Sequence, residues 1–99
     1  LVSGHVDGVA EVLSLTPDAR SVRVAFRVPS PLARYVARKG SVAVDGVSLT
    51  VNNVDGEVFE VNLVPHTQEV TIAGDWVPGR HVNLEVDQVA RYVERLAGI

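Results

Sequence analysis

Residues 39–51 read Lys39-Gly40-Ser41-Val42-Ala43-Val44-Asp45-Gly46-Val47-Ser48-Leu49-Thr50-Val51. Val42, Val44, Val47, Leu49 and Val51 supply apolar positions on both sides of Asp45-Gly46, a dipeptide suited to a tight two-residue turn. The pattern predicts a β-hairpin. On its second strand Ser48 and Thr50 stand two apart, so their hydroxyls share a face while Leu49 points the other way. Lys39 stands just before the hairpin. Two hydroxyls and a cation near a glycine-containing turn can hold a polar, planar ligand. The plainer reading is a surface hairpin with solvated hydroxyls.

The flanking sequence extends the strand pattern. Val2 to Ser14 carries Val2, Val6, Val9, Val12 and Leu13 with Gly4 and Gly8 between them. It reads as one bent strand or two short ones, because glycine in a strand often marks a bend. Thr16-Pro17-Asp18-Ala19 reads as a turn. Val22, Val24, Phe26 and Val28 then alternate with Arg23, Ala25 and Arg27, a half-buried strand. Ser30 fits an N-cap with Pro31 at the first helical position, Leu32, Tyr35 and Val36 share a helical face, and Gly40 closes that short helix. After the hairpin, Asn53 to Gly56 reads as a turn and Val58 to Val64 as a strand with Phe59, Val61 and Leu63 on one face. Val82, Leu84 and Val86 form a last strand. Asp87 then begins a C-terminal helix with Val89, Tyr92, Val93 and Leu96 on its apolar side. Six strands separated by turns predict a small antiparallel β-barrel with a short internal helix and a C-terminal helix.

Composition narrows the function classes. The chain has 99 residues, 46% of them hydrophobic, which fits one packed domain. There is no cysteine, so no disulfide framework and no cysteine nucleophile is possible. That is compatible with the cytoplasm, the location expected. The net charge of −3 argues against nucleic acid as a partner, since binding phosphates needs a basic surface. Arg34 and Arg38 lie one helical turn apart and read as a solvated face. No apolar run approaches the roughly 20 residues a bilayer span requires, so no membrane role is expected. No signal peptide is visible. The start at Leu1 suggests a processed chain or an excised domain.

Several side chains can carry chemistry. His5, between Gly4 and Val6, can act as a base or donor near neutral pH, or merely satisfy a glycine-rich loop. His5, His66 and His81 lack the spacing of a metal site, so no metal is expected. Ser48 and Thr50 can donate hydrogen bonds or relay protons, but no Gly-x-Ser-x-Gly elbow surrounds the serine. Thr67 and Asp87 are most simply caps.

Four segments resemble the riboflavin synthase (lumazine-binding) family. The hairpin run resembles its K-G-S-[IV]-x-[IV]-D-G-[IV]-S-L-T-V motif. Ser3-Gly4-His5-Val6-Asp7-Gly8 resembles its G-H-V-D-G run, and Val61-Asn62-Leu63-Val64-Pro65-His66-Thr67 its [VL]-x-L-[IV]-P-x-T run. Gly79 to Asp87, with Arg91-Tyr92-Val93-Glu94-Arg95-Leu96, resembles its V-N-L-E-V-D and K/R-Y-V-E-R-L ending. The similarity covers nearly the whole chain. His66 stands where many relatives have glutamate, Ile72-Ala73 replaces a common Thr-Leu pair, and His81 stands where a polar or basic residue is frequent.

The resemblance implies a six-stranded Greek-key barrel over residues 1–87, with residues 88–99 as a helix available for oligomerisation. It matches the C-terminal of two barrels, the N-terminal one being absent. It further implies dismutation of two molecules of 6,7-dimethyl-8-ribityllumazine. One transfers four carbons to the other, giving riboflavin and 5-amino-6-ribitylaminopyrimidinedione, without a cofactor. Implied catalytic residues are His5, Ser48, Thr50 and Asp87. Implied substrate contacts are Gly4, His5, Val6, Lys39, Ser48, Leu49, Thr50, Asn62, Leu63, Val64, Pro65, His66 and Thr67. In that family an N-terminal barrel faces a C-terminal barrel of a neighbouring subunit in a homotrimer. The lone barrel is expected to be inactive and to self-associate, as a homodimer or more weakly. Two other readings stay open: a non-catalytic lumazine- or flavin-binding module, and a barrel that only mediates assembly.

Overall fold

A computed structural model describes residues 6–64 and 75–86. The chain is mainly β. Among the described residues the strands are β1 (Gly8–Asp18), β2 (Ser21–Arg27), β3 (Ser41–Val44), β4 (Val47–Thr50), β5 (Asn53–Asp55), β6 (Val58–Leu63) and β7 (His81–Val86), with one short helix, α1 (Ser30–Ala33). All pairings are antiparallel, and the sheet order is β4-β3-β7-β1-β2-β6-β5.

The hairpin over residues 39–51 forms with the expected register, Val42 opposite Leu49 and Val44 opposite Val47. Its loop is Asp45-Gly46 with φ of 49° and 82°. Two positive φ values are what a type I′ turn needs to match the twist of its strands.

Seven strands occur among the described residues, where six were expected. The additional one is Asn53–Asp55, read above as a turn. Those residues pair with β6, Val54 opposite Phe59, and the loop shrinks to Gly56-Glu57, with Gly56 at φ 61°. β4 and β5 occupy opposite edges of the sheet, yet only Val51 and Asn52 separate them. Two residues bridge no more than about 10 Å between flanking Cα atoms, so the sheet must curl until its edges approach. The Asn52 N–H donates to Glu60 O at 2.8 Å across that junction.

Other boundaries also shift. β1 runs through the predicted turn as far as Asp18, leaving Ala19-Arg20 as the loop. Beyond Glu11 its only ladder partner among the described residues is β2, and a strand edge without a ladder tolerates Pro17. A register irregularity in β1 lies between Val12 and Ser14. Pro29, not Ser30, is the N-cap of α1, and Ser30 is its first helical residue. The Ser30 hydroxyl donates to the Glu57 carboxylate instead of capping. The left-handed residue after the helix is Lys39, at φ 69°, while Gly40 N–H donates to Ala37 O. The predicted turn over residues 67–74 and the C-terminal helix lie outside the described residues.

The core follows the alternation in the strands. Val24, Phe26, Val42, Val44, Phe59, Val61, Leu63, Val82, Leu84 and Val86 are all buried. Phe26 stacks on Phe59 at 5.1 Å between ring centroids and meets Trp76 edge-on at 5.3 Å. Trp76, 2% exposed, is a core residue that no strand or helix pattern signals. α1 packs over β1 through Leu32, so close that a Cβ on Gly8 would stand 2.7 Å from Leu32 Cδ1.

Candidate functional site

β-Ladder registers bring the motif segments together. Thr50 stands opposite Ser41 on β3, and the next β3 residue, Val42, stands opposite Val86 on β7. The chain at Asp7 hydrogen-bonds to Leu84 and Val86, which sets Val6 beside that end of β7. On the other side, the β5–β6 register pairs Asn53 with Glu60. Just before that pair the Asn52 N–H donates to Glu60 O at 2.8 Å, one residue out of this register, where the chain passes from β4 into β5. Cα atoms of β4 and β6 do approach within 8 Å. The result is a row across the curled sheet: the end of β6, the end of β4, the start of β3, the end of β7 and the approach to β1.

Side chains on the outer face of that row are those with polar or small apolar chemistry. Ser48 and Thr50 are exposed and Leu49 between them is buried, as the alternation predicts. Asn62 is exposed, Leu63 buried and Val64 exposed at 53%. Val6 is 48% exposed. Leu49 and Leu63 therefore commit their side chains to the core, leaving only backbone groups to meet a ligand. Lys39 is exposed, and its N–H donates to Val51 O at 2.7 Å, which anchors it to the end of β4. Ser41, exposed and directly across from Thr50, adds a third hydroxyl that the motif reading did not single out. Gly4, His5, Pro65, His66, Thr67 and Asp87 lie outside the described residues.

Two aspartates bond across the sheet, Asp7 at the row and Asp45 at the other end of the hairpin from Ser41 and Thr50. Asp45 at the hairpin tip accepts from Trp76 Nε1 at 3.1 Å through Oδ2 and from Asn83 N at 2.8 Å through Oδ1. Its own N–H donates to Asn83 O at 2.8 Å. Asp7 Oδ2 accepts from Val86 N at 2.9 Å. In the sequence Asp45 reads only as a turn residue. Its acceptor role depends on Trp76 and Asn83, more than thirty residues away in sequence, so no local pattern signals it.

A shallow polar cleft lies elsewhere, where Glu11 on β1 stands between His81 on β7 and Arg27 on β2. It is five residues along β1 from Val6, about 16 Å at strand rise. Glu57 lines it too, its carboxylate accepting from the Ser30 hydroxyl. Among the described residues, no group of three or more His, Asp or Glu side chains could hold a metal ion.

Residues 3–87 match the family model described as the lumazine binding domain. The chain is 52% identical to a riboflavin synthase of Photobacterium phosphoreum over 96 residues, covering 97% of this chain and 44% of that protein. It is 50% identical to that of Brucella abortus, covering 98% and 48%. The chain thus spans about half the length of the curated relatives it matches. Among solved structures, LumP complexed with riboflavin superposes with a TM-score of 0.83 at 22% identity, over 89% of this chain and 48% of that one. LumP complexed with 6,7-dimethyl-8-(1'-D-ribityl) lumazine gives 0.80 at 24%, over 89% and 49%. These two show a shared fold. The family model spans the whole row of converging strand ends, and the chain belongs to the lumazine-binding domain family.

Proposed function

We propose that the chain is the C-terminal lumazine-binding barrel of a riboflavin synthase and supplies half of the site that joins two molecules of 6,7-dimethyl-8-ribityllumazine. The observation that carries the reading is the outward row in which Ser41, Ser48, Thr50 and Asn62 stand beside exposed Val6 and Val64. A ribityllumazine has an apolar ring face, a ring edge of donors and acceptors, and a polyhydroxyl tail. Small exposed valines suit the ring face, strand-end backbone groups suit the edge, and hydroxyls with Lys39 suit the tail.

In this reading the barrel is closed and has six strands, β4 and β5 being two halves of one bent strand that pairs with β3 at one end and β6 at the other. His5, Ser48, Thr50 and Asp87 are the catalytic candidates. Gly4, Lys39, Pro65, His66 and Thr67 join the substrate contacts. The chemistry asked of them is removal of a proton from a ring methyl of one lumazine and activation of the second ring, with both rings held face to face. The second ring belongs to the N-terminal barrel of a neighbouring subunit in a homotrimer. Residues 88–99 serve as the oligomerisation helix, and the location is cytoplasmic.

Fluorescence titration of the chain with 6,7-dimethyl-8-ribityllumazine tests the reading. Wild type should show a saturable change. Ser48→Ala and Thr50→Ala should each weaken binding several-fold, while urea midpoints shift by no more than about 0.5 kcal/mol of stability, because both side chains are exposed. No saturable signal at millimolar ligand would overturn the reading.

A further inference from the structure

The β1–β7 ladder ends with a side chain in place of backbone. Gly8 stands opposite Leu84, and continuing that register would set Val6 opposite Val86. Instead the Asp7 N–H donates to Leu84 O at 2.8 Å, one residue out of register, and the Val86 N–H donates to Asp7 Oδ2 at 2.9 Å. A carboxylate thus takes a peptide donor that a continuing ladder would give to a carbonyl. Such a charge-assisted bond is stronger than its neutral counterpart. Gly8, the next residue, is packed against Leu32, whose Cδ1 a Cβ there would meet at 2.7 Å. The segment is therefore held at Asp7–Gly8 by backbone, side chain and packing together. Val6 leaves the ladder there and is 48% exposed, while Val86 stays in the core at 4%. In the sequence His5 precedes Val6, and Asp87 follows Val86.

We propose that Asp7 is a positioning residue for the lumazine site. Its carboxylate sets where Val6 parts from β7, and so fixes the spacing between Val6 and the end of that strand at Val86. Asp7 acts through its neighbours and does not itself meet the ligand. The inference rests on the lumazine-binding reading for the identity of the ligand and on the two hydrogen bonds for the geometry.

The test compares wild type, Asp7→Ala and Asp7→Asn by two measurements well below the unfolding transition. One is fluorescence titration with 6,7-dimethyl-8-ribityllumazine. The other is amide hydrogen exchange resolved by residue. Asp7→Ala should weaken binding about tenfold, the scale of one lost hydrogen bond to a charged group. It should speed exchange at the Val86 amide selectively, leaving the amides of Val24 and Val61 unchanged. Asp7→Asn keeps a carbonyl oxygen at the same reach and should recover binding to within about threefold. A purely structural role predicts something else: exchange accelerated across the whole core, and affinity lost only as the folded fraction falls. That result, or wild-type affinity in Asp7→Ala, overturns the inference. If wild type binds no lumazine, the ligand reading fails by itself. Val86 exchange then decides the positioning claim, with selective acceleration supporting it and unchanged or uniform exchange overturning it.

Discussion

The carboxylate of Asp45 serves two donors from distant parts of the chain, the indole of Trp76 and the amide of Asn83. The same residue turns the hairpin at φ 49°, a conformation that aspartate tolerates better than most residues do. A buried indole N–H needs an acceptor, and Trp76 is 2% exposed. Asp45→Ala removes that acceptor and the one for Asn83 together, and should cost about 2–3 kcal/mol. Asp45→Asn keeps one carbonyl oxygen and should cost about 1 kcal/mol. Trp76 is the only tryptophan of the chain, so its emission during urea unfolding reports both variants. A loss below about 0.5 kcal/mol in Asp45→Ala would show that water replaces the carboxylate at both donors.

Between the two-residue loops, a difference in backbone chemistry separates what the sequence discloses from what it hides. Asp45-Gly46 declares itself, because its residues suit positive φ. Ala19-Arg20 does not, since alanine is a poor left-handed residue, yet Ala19 sits at φ 55°. The β1–β2 turn is thus imposed by the long pairing on either side of it, from Glu11 opposite Arg27 to Asp18 opposite Ser21. The same cause explains the other departures. Asn53–Asp55 carries turn residues but is drawn into a strand by pairing with β6, and Trp76 is buried by aromatic contacts that no periodicity encodes. By contrast, the hairpin, β2, β6 and β7 were legible because one face of each is buried and period two betrays it. The placement of Ser48 and Thr50 was legible for that reason too, whereas the partners of Asp45 and Asp7 depend on long-range register. Substitution tests the point with opposite signs. Ala19→Gly relieves about 1 kcal/mol of left-handed strain and loses somewhat less to unfolded-state entropy, so it should stabilise by a few tenths to about 0.5 kcal/mol. Gly46→Ala, with nothing within 4 Å of its Cβ, should destabilise by about 1 kcal/mol through backbone strain alone. Urea midpoints measure both, and shifts of the same sign would show that loop strain does not govern either hairpin.

At the scale of the whole molecule, curling the sheet brings edge strands β4 and β5 to within two residues of each other. The described parts of the motif segments then fall in one row on one side. On the proposed reading a single row presents one ring-binding surface, and the reaction needs two rings held face to face. Holding two reactants in register supplies much of the rate of such a reaction, and a bound ring meeting a free one from solution forgoes that advantage. On the proposed reading, the chain alone should bind ribityllumazine yet form riboflavin at less than about a thousandth of the rate of the same chain joined to a second lumazine-binding barrel, the gap expected when effective molarity is lost. Riboflavin emission against time, at saturating lumazine and over a range of chain concentrations, measures this. Turnover per chain that is high and independent of concentration would overturn the prediction, because one row would then accommodate both rings. Turnover per chain that rises with concentration would instead place two copies of this barrel face to face, each holding one ring, and make the second barrel a matter of proximity rather than of different chemistry.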